Sequence, residues 1–558
     1  MASRIFTSLL LCSVSVAAFG FTADQLWEAW PEERFMSTVA PCVGHAELTG
    51  SMQELASRYP DQLQLERVGE SFLGRPIHLM TLGRGARKVL LWSQMHGDEP
   101  SATPALLDIV HYLVSHADEP GPQSILEELT LLMIPMLNPD GSELYVRRNA
   151  QGIDINRDAL NLATPEGRIL KQVRDQHEPM LGFNLHDQNR RTAVGDTGNL
   201  ATNSVLAVSG DPEGTVTPGR LRAKRVCSAL VEALSPFMPG GMARYDEDWS
   251  PRAFGDNLTA WGTPVVLIES GGLPPGRDFS ELTRLNFIAL LKVLQDLAQD
   301  DVAGYDPQVY EDLPRNQSNS WAEVVVRNGY MLQPGTSKPY RADLAFYLFE
   351  EDRQIAGCAV ETRVGSGIFE IGDNRFIGGG RDIDAEGAVL VAPFVVGVKG
   401  WLARKWLKAK VLEDLARLGV GTVHWSVSGD KSEAAETVAS QLARPGSAQL
   451  VVTHERSSRP AVMLRKPPTL AASNSLASIL RALQVATPDA SGDRRDSMQA
   501  LQVLWPEGIS DRNELPVIRR GQPASFLLLS PAPEGQIDLN NSTVEAVWLD
   551  GVEIDIAR

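Results

Sequence analysis

Between about residues 26 and 300, short apolar runs alternate with stretches whose apolar residues recur every three or four positions. That is the pattern of an α/β domain with a largely buried sheet. Four of the runs end on polar clusters. Residues 88–92 (KVLLW) lead into His96, 129–135 (LTLLMIP) into Asn138-Pro-Asp-Gly141, 180–185 (MLGFNL) into His186, and 264–268 (PVVLI) into Glu269. Open α/β sheets bind ligands beyond the carboxyl ends of their strands, so four strands delivering polar residues there predict one shared crevice. Residues 102–116 predict a helix with Ala105, Leu106, Ile109, Val110 and Leu113 on one face, and residues 279–297 a long closing helix. His111 and His116 are five apart and share no helix face, which favours structural histidines over ligands. The expected fold class is α/β, a mixed and mostly parallel sheet with helices on both faces.

The polar stretch 298–307 predicts a domain boundary near residue 300. Beyond it, short β-like runs at 322–326, 343–348, 388–391, 449–452, 526–529 and 544–549 are separated by Gly, Pro, Asn and Asp. Helical stretches are expected at 401–418, 432–442 and 475–485. The organisation expected is residues 1–20 as a signal peptide, 21–300 as an α/β catalytic domain, and 301–558 as a β-rich C-terminal domain.

Composition narrows the partners. A chain of 558 residues, 43% hydrophobic and 22% charged, buries sizeable cores without staples. Its net charge of −18 repels polyanions and argues against nucleic acid as a partner. Met1-Ala-Ser-Arg4, the apolar run that follows it, and Ala17, Ala18 and Gly20 have the three regions of a secretory signal, which predicts a periplasmic or secreted protein beginning near Phe21. Leu10-Leu-Cys12 departs from a lipoprotein box by its Leu before the Cys. No later run is long and apolar enough to span a bilayer, so no membrane span is expected after signal cleavage. Cys42, Cys227 and Cys358 allow at most one disulfide, a pairing left open, and exclude a cysteine metal site.

The candidate chemistry begins with His96-Gly-Asp-Glu99, an imidazole and a carboxylate three apart on a turn after a strand. Such a pair is common by chance. His186, at the end of a buried strand in Asn184-Leu-His-Asp-Gln188, strengthens it, because an unpaired imidazole there is costly and a metal ligand explains it. Two histidines and a glutamate are a catalytic zinc set with the fourth position left for water. Glu269 ends an apolar strand, where desolvation raises a carboxyl pKa towards that of a general base; a structural ion pair accounts for it equally well. The stretch from Arg147 to Asp158 concentrates donors for an oxyanion and for a free carboxylate, with a solvated basic turn as the alternative.

His96-x-x-Glu99, Asn138-Pro-Asp-Gly141, Arg147 five residues before Gly152-Ile-Asp-Ile-Asn-Arg157, His186 and Glu269 together resemble the zinc carboxypeptidase family typified by carboxypeptidase A, over roughly the first 300 residues. The resemblance implies one Zn2+ held by His96, Glu99 and His186, with Asp154 orienting His96. It implies Arg147 on the tetrahedral oxyanion, Asn156 and Arg157 on the substrate's terminal carboxylate, and Glu269 as general base. Arg148 is the alternative to Arg147 if the turn is shifted by one. Tyr245 is the candidate for the family's substrate-capping tyrosine, although aligning on Asp248-Trp-Ser250 puts Pro251 there instead. The side-chain pocket is left open between Arg252, favouring acidic terminal residues, and Asp256, favouring basic ones.

In the second half, residues 327–335, 340–343, 383–393, 521–529 and 544–551 resemble the opening and closing strands of the small β-sandwich that flanks the metal-binding barrel of amidohydrolases. This chain reads Pro393-Phe-Val-Val-Gly-Val-Lys-Gly400 where that family carries His-x-His, and the space for a barrel is too short, so a second metal-dependent site is not expected. The functional expectation is a zinc metallocarboxypeptidase acting on peptides with a free carboxylate. An amidase on cell-wall peptides using the same site and a non-catalytic zinc-containing peptide-binding protein are the rivals.

Overall fold

The computed structural model describes residues 20–36, 43–246, 249–274, 276–332, 340–356, 359–391, 394–399, 408–409, 412–413, 416, 420–427, 432–443, 449–454, 526–529, 544–549 and 552–554. The expected signal (except Gly20), Cys42, Cys358, most of the helix expected at 401–418 and the one at 475–485 lie outside them. Two compact units emerge from the described residues. The first comprises those up to Arg190, then Ala201–Asn316, with Ala356; the second comprises Arg191–Leu200, Gln317–Ile355 and those from Ala359 onward.

The first unit is built on one sheet of eight strands: β1 (Leu63–Glu70), β2 (Pro76–Leu82), β3 (Arg87–Trp92), β4 (Leu129–Ile134), β5 (Leu181–Asp187), β6 (Asn203–Ala207), β7 (Met242–Arg244) and β8 (Val265–Ser270). Their order across the sheet is β1-β2-β4-β3-β5-β8-β6-β7. The central strands β4, β3, β5 and β8 run parallel, while β1, β2 and β6 make the antiparallel pairings. All four predicted apolar runs are these central strands, so their carboxyl ends share one edge, the crevice expected from the pattern.

Alternation along the strands feeds two cores. Val89, Leu91, Phe183, Leu185, Val205 and Ile268 face one layer of helices, which includes α1 (Ala23–Glu33), α2 (His45–Arg58), α3 (Ala102–Ser115) and α4 (Pro120–Glu128). Leu90, Trp92, Leu132, Ile134, Leu206 and Leu267 face the other. After the short α5 (Pro139–Leu144), α6 (Pro165–His177) covers this second face, α7 (Pro218–Leu234) the first, α8 (Phe254–Ala260) the second and α9 (Ser280–Ala298) the first again. Helix starts repeat one device. Asn138, Thr164 and Thr217 each accept a backbone N–H from the first turn and are followed by proline, whose missing donor costs nothing at that position.

The polar stretch read as a linker is instead part of the first unit. Asp301–Gly304 and Pro307–Glu311 form short helices, and Tyr310 is buried with its hydroxyl accepting the Ala207 N–H at 3.2 Å. One aromatic side chain anchors what composition marks as loop, which moves the boundary to Asn316. His111 bonds the Glu33 carbonyl and His116 bridges Glu33 and Glu119, structural positions as expected. Cys227 is buried and unbridged.

The second unit is β-rich. Trp321–Leu332 pairs with Tyr340–Ala356, Gly378–Asp384 and Val389–Val391. The last of these pairs with Phe526–Leu529, which is followed across the sheet by Val544–Leu549 and Val552–Ile554. Segments far apart in sequence therefore share one sheet, over a core that includes Val326, Leu344, Phe346, Leu390, Phe526 and Trp548. A separate sheet of three parallel strands, Phe394–Lys399, Val420–Val427 and Gln449–His454, has the helix Ser432–Leu442 between its last two.

Candidate metal centre and active site

His96, Glu99 and His186 converge at the carboxyl edge of the first unit's sheet, all three buried, with one ligand atom from each lying within 4.8 Å of the others. Nδ1 of His96 lies 2.8 Å from one Glu99 oxygen, and Nδ1 of His186 lies 2.6 Å from the other. The two Nδ1 atoms face each other at 3.1 Å. Two imidazole nitrogens and a carboxylate turned onto one point are a donor set that fits a zinc ion. Burial would raise the Glu99 carboxyl, but His186 and His96 beside it hold it well below the usual carboxylate range.

Local sequence explains how His96 arrives there. After β3 the backbone turns at Gln94, whose φ of +45° is unusual for a residue with a side chain. Its amide holds that turn by donating to the Gly97 carbonyl and Ser142 and accepting from Thr103. A Cβ on Gly97 would come within 2.0 Å of the Gly141 carbonyl carbon, so the His-Gly turn and the Pro-Asp-Gly turn pack backbone to backbone. Asn138 spans them: its Oδ1 accepts the Gly141 N–H, while Nδ2 reaches the carbonyls of Met95 and Arg147 at 3.4 Å each.

Asp154 is the hub. One oxygen lies 3.1 Å from His96 Nε2 and accepts the Asn156 N–H; the other accepts Arg147 Nε at 3.1 Å. Burial opposes the charged form, yet the His96 hydrogen bond, with Arg147 and Arg157 nearby, holds Asp154 well below the usual range. Nη1 of Arg147 reaches Glu99 at 3.1 Å. Arg148 bonds the Gly152 carbonyl instead, so it is Arg147 that joins the cluster.

Across the sheet, His186 on β5 sits opposite Glu269 on β8, which sits opposite Ser204 on β6. Glu269 is buried and, among the described residues, no group donates a hydrogen bond to it. Burial pushes its carboxyl well above the usual value, reinforced by the charges of Glu99 and Asp187. Asp187, which sequence reasoning passed over, is itself pushed up to about 7 by burial, against the hydrogen bonds it accepts from Ser101.

One open cavity of about 250 Å³ gathers these groups: His96, Glu99, Arg147 and Glu269 share its walls with Asn156, Arg157, Tyr245 and Asp256. Asn156 Oδ1 accepts the Phe254 N–H at 2.9 Å, leaving its Nδ2 without a partner among the described residues. Glu269 nearby raises the Tyr245 phenol, with burial adding to it. Asp256 lines the cavity; Arg252 does not, and is exposed.

Residues 48–178 match the family model described as zinc carboxypeptidase. The match includes His96, Glu99 and the stretch from Asn138 to Arg157, and stops short of His186 and Glu269. Among curated proteins, carboxypeptidase SOL1 of Arabidopsis thaliana is 28% identical over 213 residues, covering 31% of this chain and 43% of that protein. Carboxypeptidase 2 of Trichophyton rubrum is 30% identical over 112 residues, 20% of each chain. The chain thus spans less than half the length of these relatives. A metallo-carboxypeptidase from Burkholderia cenocepacia of known structure is 21% identical, with a TM-score of 0.38 over 46% of this chain and 68% of that one. Over residues 48–178, this chain is similar to the zinc carboxypeptidase family.

Proposed function

We propose that the first unit is a zinc-dependent carboxypeptidase that hydrolyses the amide bond of a peptide's C-terminal residue. The observation that carries this reading is one cavity lined by His96 and Glu99 of the donor set that His186 completes, by a buried Glu269 carboxyl that has no donor among the described residues, and by the cationic groups of Arg147 and Arg157. Zinc held by the three ligands supplies Lewis-acid polarisation of the scissile carbonyl and acidifies a water to a pKa of about 7. Glu269 takes the proton of the attacking water and returns it to the leaving nitrogen, a task suited to a carboxyl whose pKa is raised. Arg147, fixed by Asp154 through Nε, keeps Nη1 beside the ligands, where negative charge develops on the carbonyl oxygen. Asn156 and Arg157 hold the terminal carboxylate, with Tyr245 closing over the bound residue.

The apolar run after Arg4 supports export, which puts extracytoplasmic peptides within reach of the site. Among the described residues, no helix is long and apolar enough to cross a membrane. The test is the full chain loaded with zinc and offered a mixture of peptides and muropeptides, with products resolved by mass spectrometry. Stepwise release of single C-terminal residues, abolished by a chelator and restored by zinc, is the expected result. Protein that holds zinc and binds peptides but releases nothing overturns the enzyme reading.

A further inference from the structure

His186 and Glu269 stand opposite one another at the ends of β5 and β8, and so do the residues that follow them, Asp187 and Ser270. Glu99 comes from elsewhere, on the turn after β3. Asp187 ties that turn to β5 in both directions. Its backbone N–H donates to a Glu99 carboxylate oxygen at 3.4 Å, and its own carboxylate accepts the Ser101 N–H at 3.1 Å and the Ser101 hydroxyl. Ser101 is two residues beyond Glu99, so one strand end holds both the ligand's carboxylate and the backbone just past it.

Helix α9 ties the same turn a second time. Asn286 Nδ2 donates to Ser101 Oγ at 3.3 Å, to Ser270 Oγ at 2.9 Å and to the Leu282 carbonyl at 3.0 Å, while the Thr283 hydroxyl donates to the Ser101 carbonyl at 3.0 Å. The Leu282 carbonyl can only accept, which fixes the amide with its nitrogen towards the serines. Asn286, Ser101 and Ser270 are all buried, and Asn286 Oδ1 is left without a hydrogen-bond partner. Its neighbours on α9, among them Leu285, Phe287 and Ile288, belong to the apolar core. An amide with an orphaned oxygen is costly in such a place. Helix packing does not account for it, whereas the bridge it makes between the two serines does.

We infer that Asn286 and Ser101 are positioning residues for the metal centre: through Asp187 and Ser270 they brace the Glu99 turn against the strand that carries Glu269, and so set the spacing of ligand and base. The inference rests on the carboxypeptidase reading for the roles of Glu99 and Glu269. Neither Asn286 nor Ser101 lines the cavity, so each acts through the groups it holds. Residues that orient a metal's ligands tune both its affinity and its activity, and small displacements of a positioned base slow the reaction it assists.

The test compares the full chain with Asn286→Ala, Ser101→Ala, the two combined, and Gln295→Ala. Gln295 is buried on the same helix and bonds the Phe21 backbone, so its loss weakens α9 without touching the brace. The readouts are zinc affinity by chelator competition, the visible absorption of Co2+ bound in place of zinc, and kcat and KM on a peptide. Asn286→Ala and Ser101→Ala are each expected to weaken zinc binding about tenfold, to shift the Co2+ absorption, and to lower kcat about tenfold with KM little changed. The double variant loses little more than either single one, because residues acting as a unit are not additive. Gln295→Ala leaves every readout unchanged. Unaltered zinc affinity and Co2+ absorption in the single variants, losses that multiply in the double, or equal changes in Gln295→Ala each overturn the inference. If Asn286→Ala does not fold, Ser101→Ala, which removes one oxygen, decides alone. The metal readouts need no turnover, so a wild-type protein that cleaves no peptide ends the carboxypeptidase reading while zinc affinity and absorption still decide the brace.

Discussion

Two buried carboxylates in the first unit, one beyond β4 and one at the end of β8, have opposite surroundings. Asp140, just beyond β4, accepts hydrogen bonds from the Ser71 hydroxyl at 2.8 Å, the Leu73 N–H at 3.0 Å and an Arg75 guanidinium nitrogen at 2.6 Å. Glu269, at the end of β8, is also buried but receives no donor among the described residues and faces the negative charges of Glu99 and Asp187. Leaving a carboxyl undonated in a desolvated site costs stability, whereas a fully donated one binds segments together. The pair teaches that satisfaction, more than burial, separates a structural carboxylate from a reactive one. Asp140 ties the turn at Ser71 to the turn bearing Gly141, whereas Glu269 ties no segment of the described residues together.

The largest effect that sharpens this contrast is expected at Glu269. Glu269→Gln keeps the shape and removes the base, so kcat on a good peptide substrate falls by roughly a thousandfold, within the range for loss of a general acid–base group. Zinc content, measured by atomic emission, is unchanged. Stability moves the other way in the metal-free protein. A carboxyl whose folded pKa lies above its unfolded one leaves the native state binding more protons, so stability falls as pH rises through the folded value. The glutamine has no such proton to lose, and Tm at pH 8 rises relative to wild type. A metal-free variant less stable than wild type at that pH sinks the contrast.

Asp140→Ala tests the other half. It removes the acceptor for three donors and unpairs Arg75, and breaking a buried pair in this way costs about 3 kcal/mol. Arg75 is partly exposed, which puts the expected loss at the low end of the range. Denaturant unfolding reads it directly. Activity per folded molecule drops far less than in Glu269→Gln; a variant as stable as wild type shows that Asp140 is not the tie its geometry describes.

How far the sequence spoke follows the same division. The sheet, its two helical layers and the four strand ends were readable from periodicity because each central strand is buried on both faces and runs continuously apolar. His96, Glu99, His186 and Glu269 were readable because chemistry restricts residue type at strand ends. Asn286 was not, since an asparagine in an apolar helix gives no sign of what its amide bridges until the neighbouring strands are placed. Asp256 stood level with Arg252 until α8 put one on the cavity and the other in solvent. Tyr310 hid in a polar stretch, where one buried aromatic is enough to extend a unit that composition would end.

The smallest effect expected is at the residue that joins the Asp140 turn to the His96 turn. Asn138 lies two residues before Asp140, and its side chain caps α5 while reaching the carbonyls of Met95, beside His96, and Arg147. Asn138→Ala removes a helix cap, for about 1 kcal/mol of stability. The two longer bonds add little energy but hold the ligand turn against the arginine turn. Loss of their alignment therefore lowers kcat by about tenfold, since small displacements of positioned groups are costly to catalysis. Asn138→Asp keeps the Oδ1 cap and loses the Nδ2 donor, which separates the roles: it should retain most of the unfolding free energy yet lose kcat as the alanine variant does. Equal kcat in Asn138→Asp and wild type, measured at saturating peptide, assigns Asn138 to the helix alone.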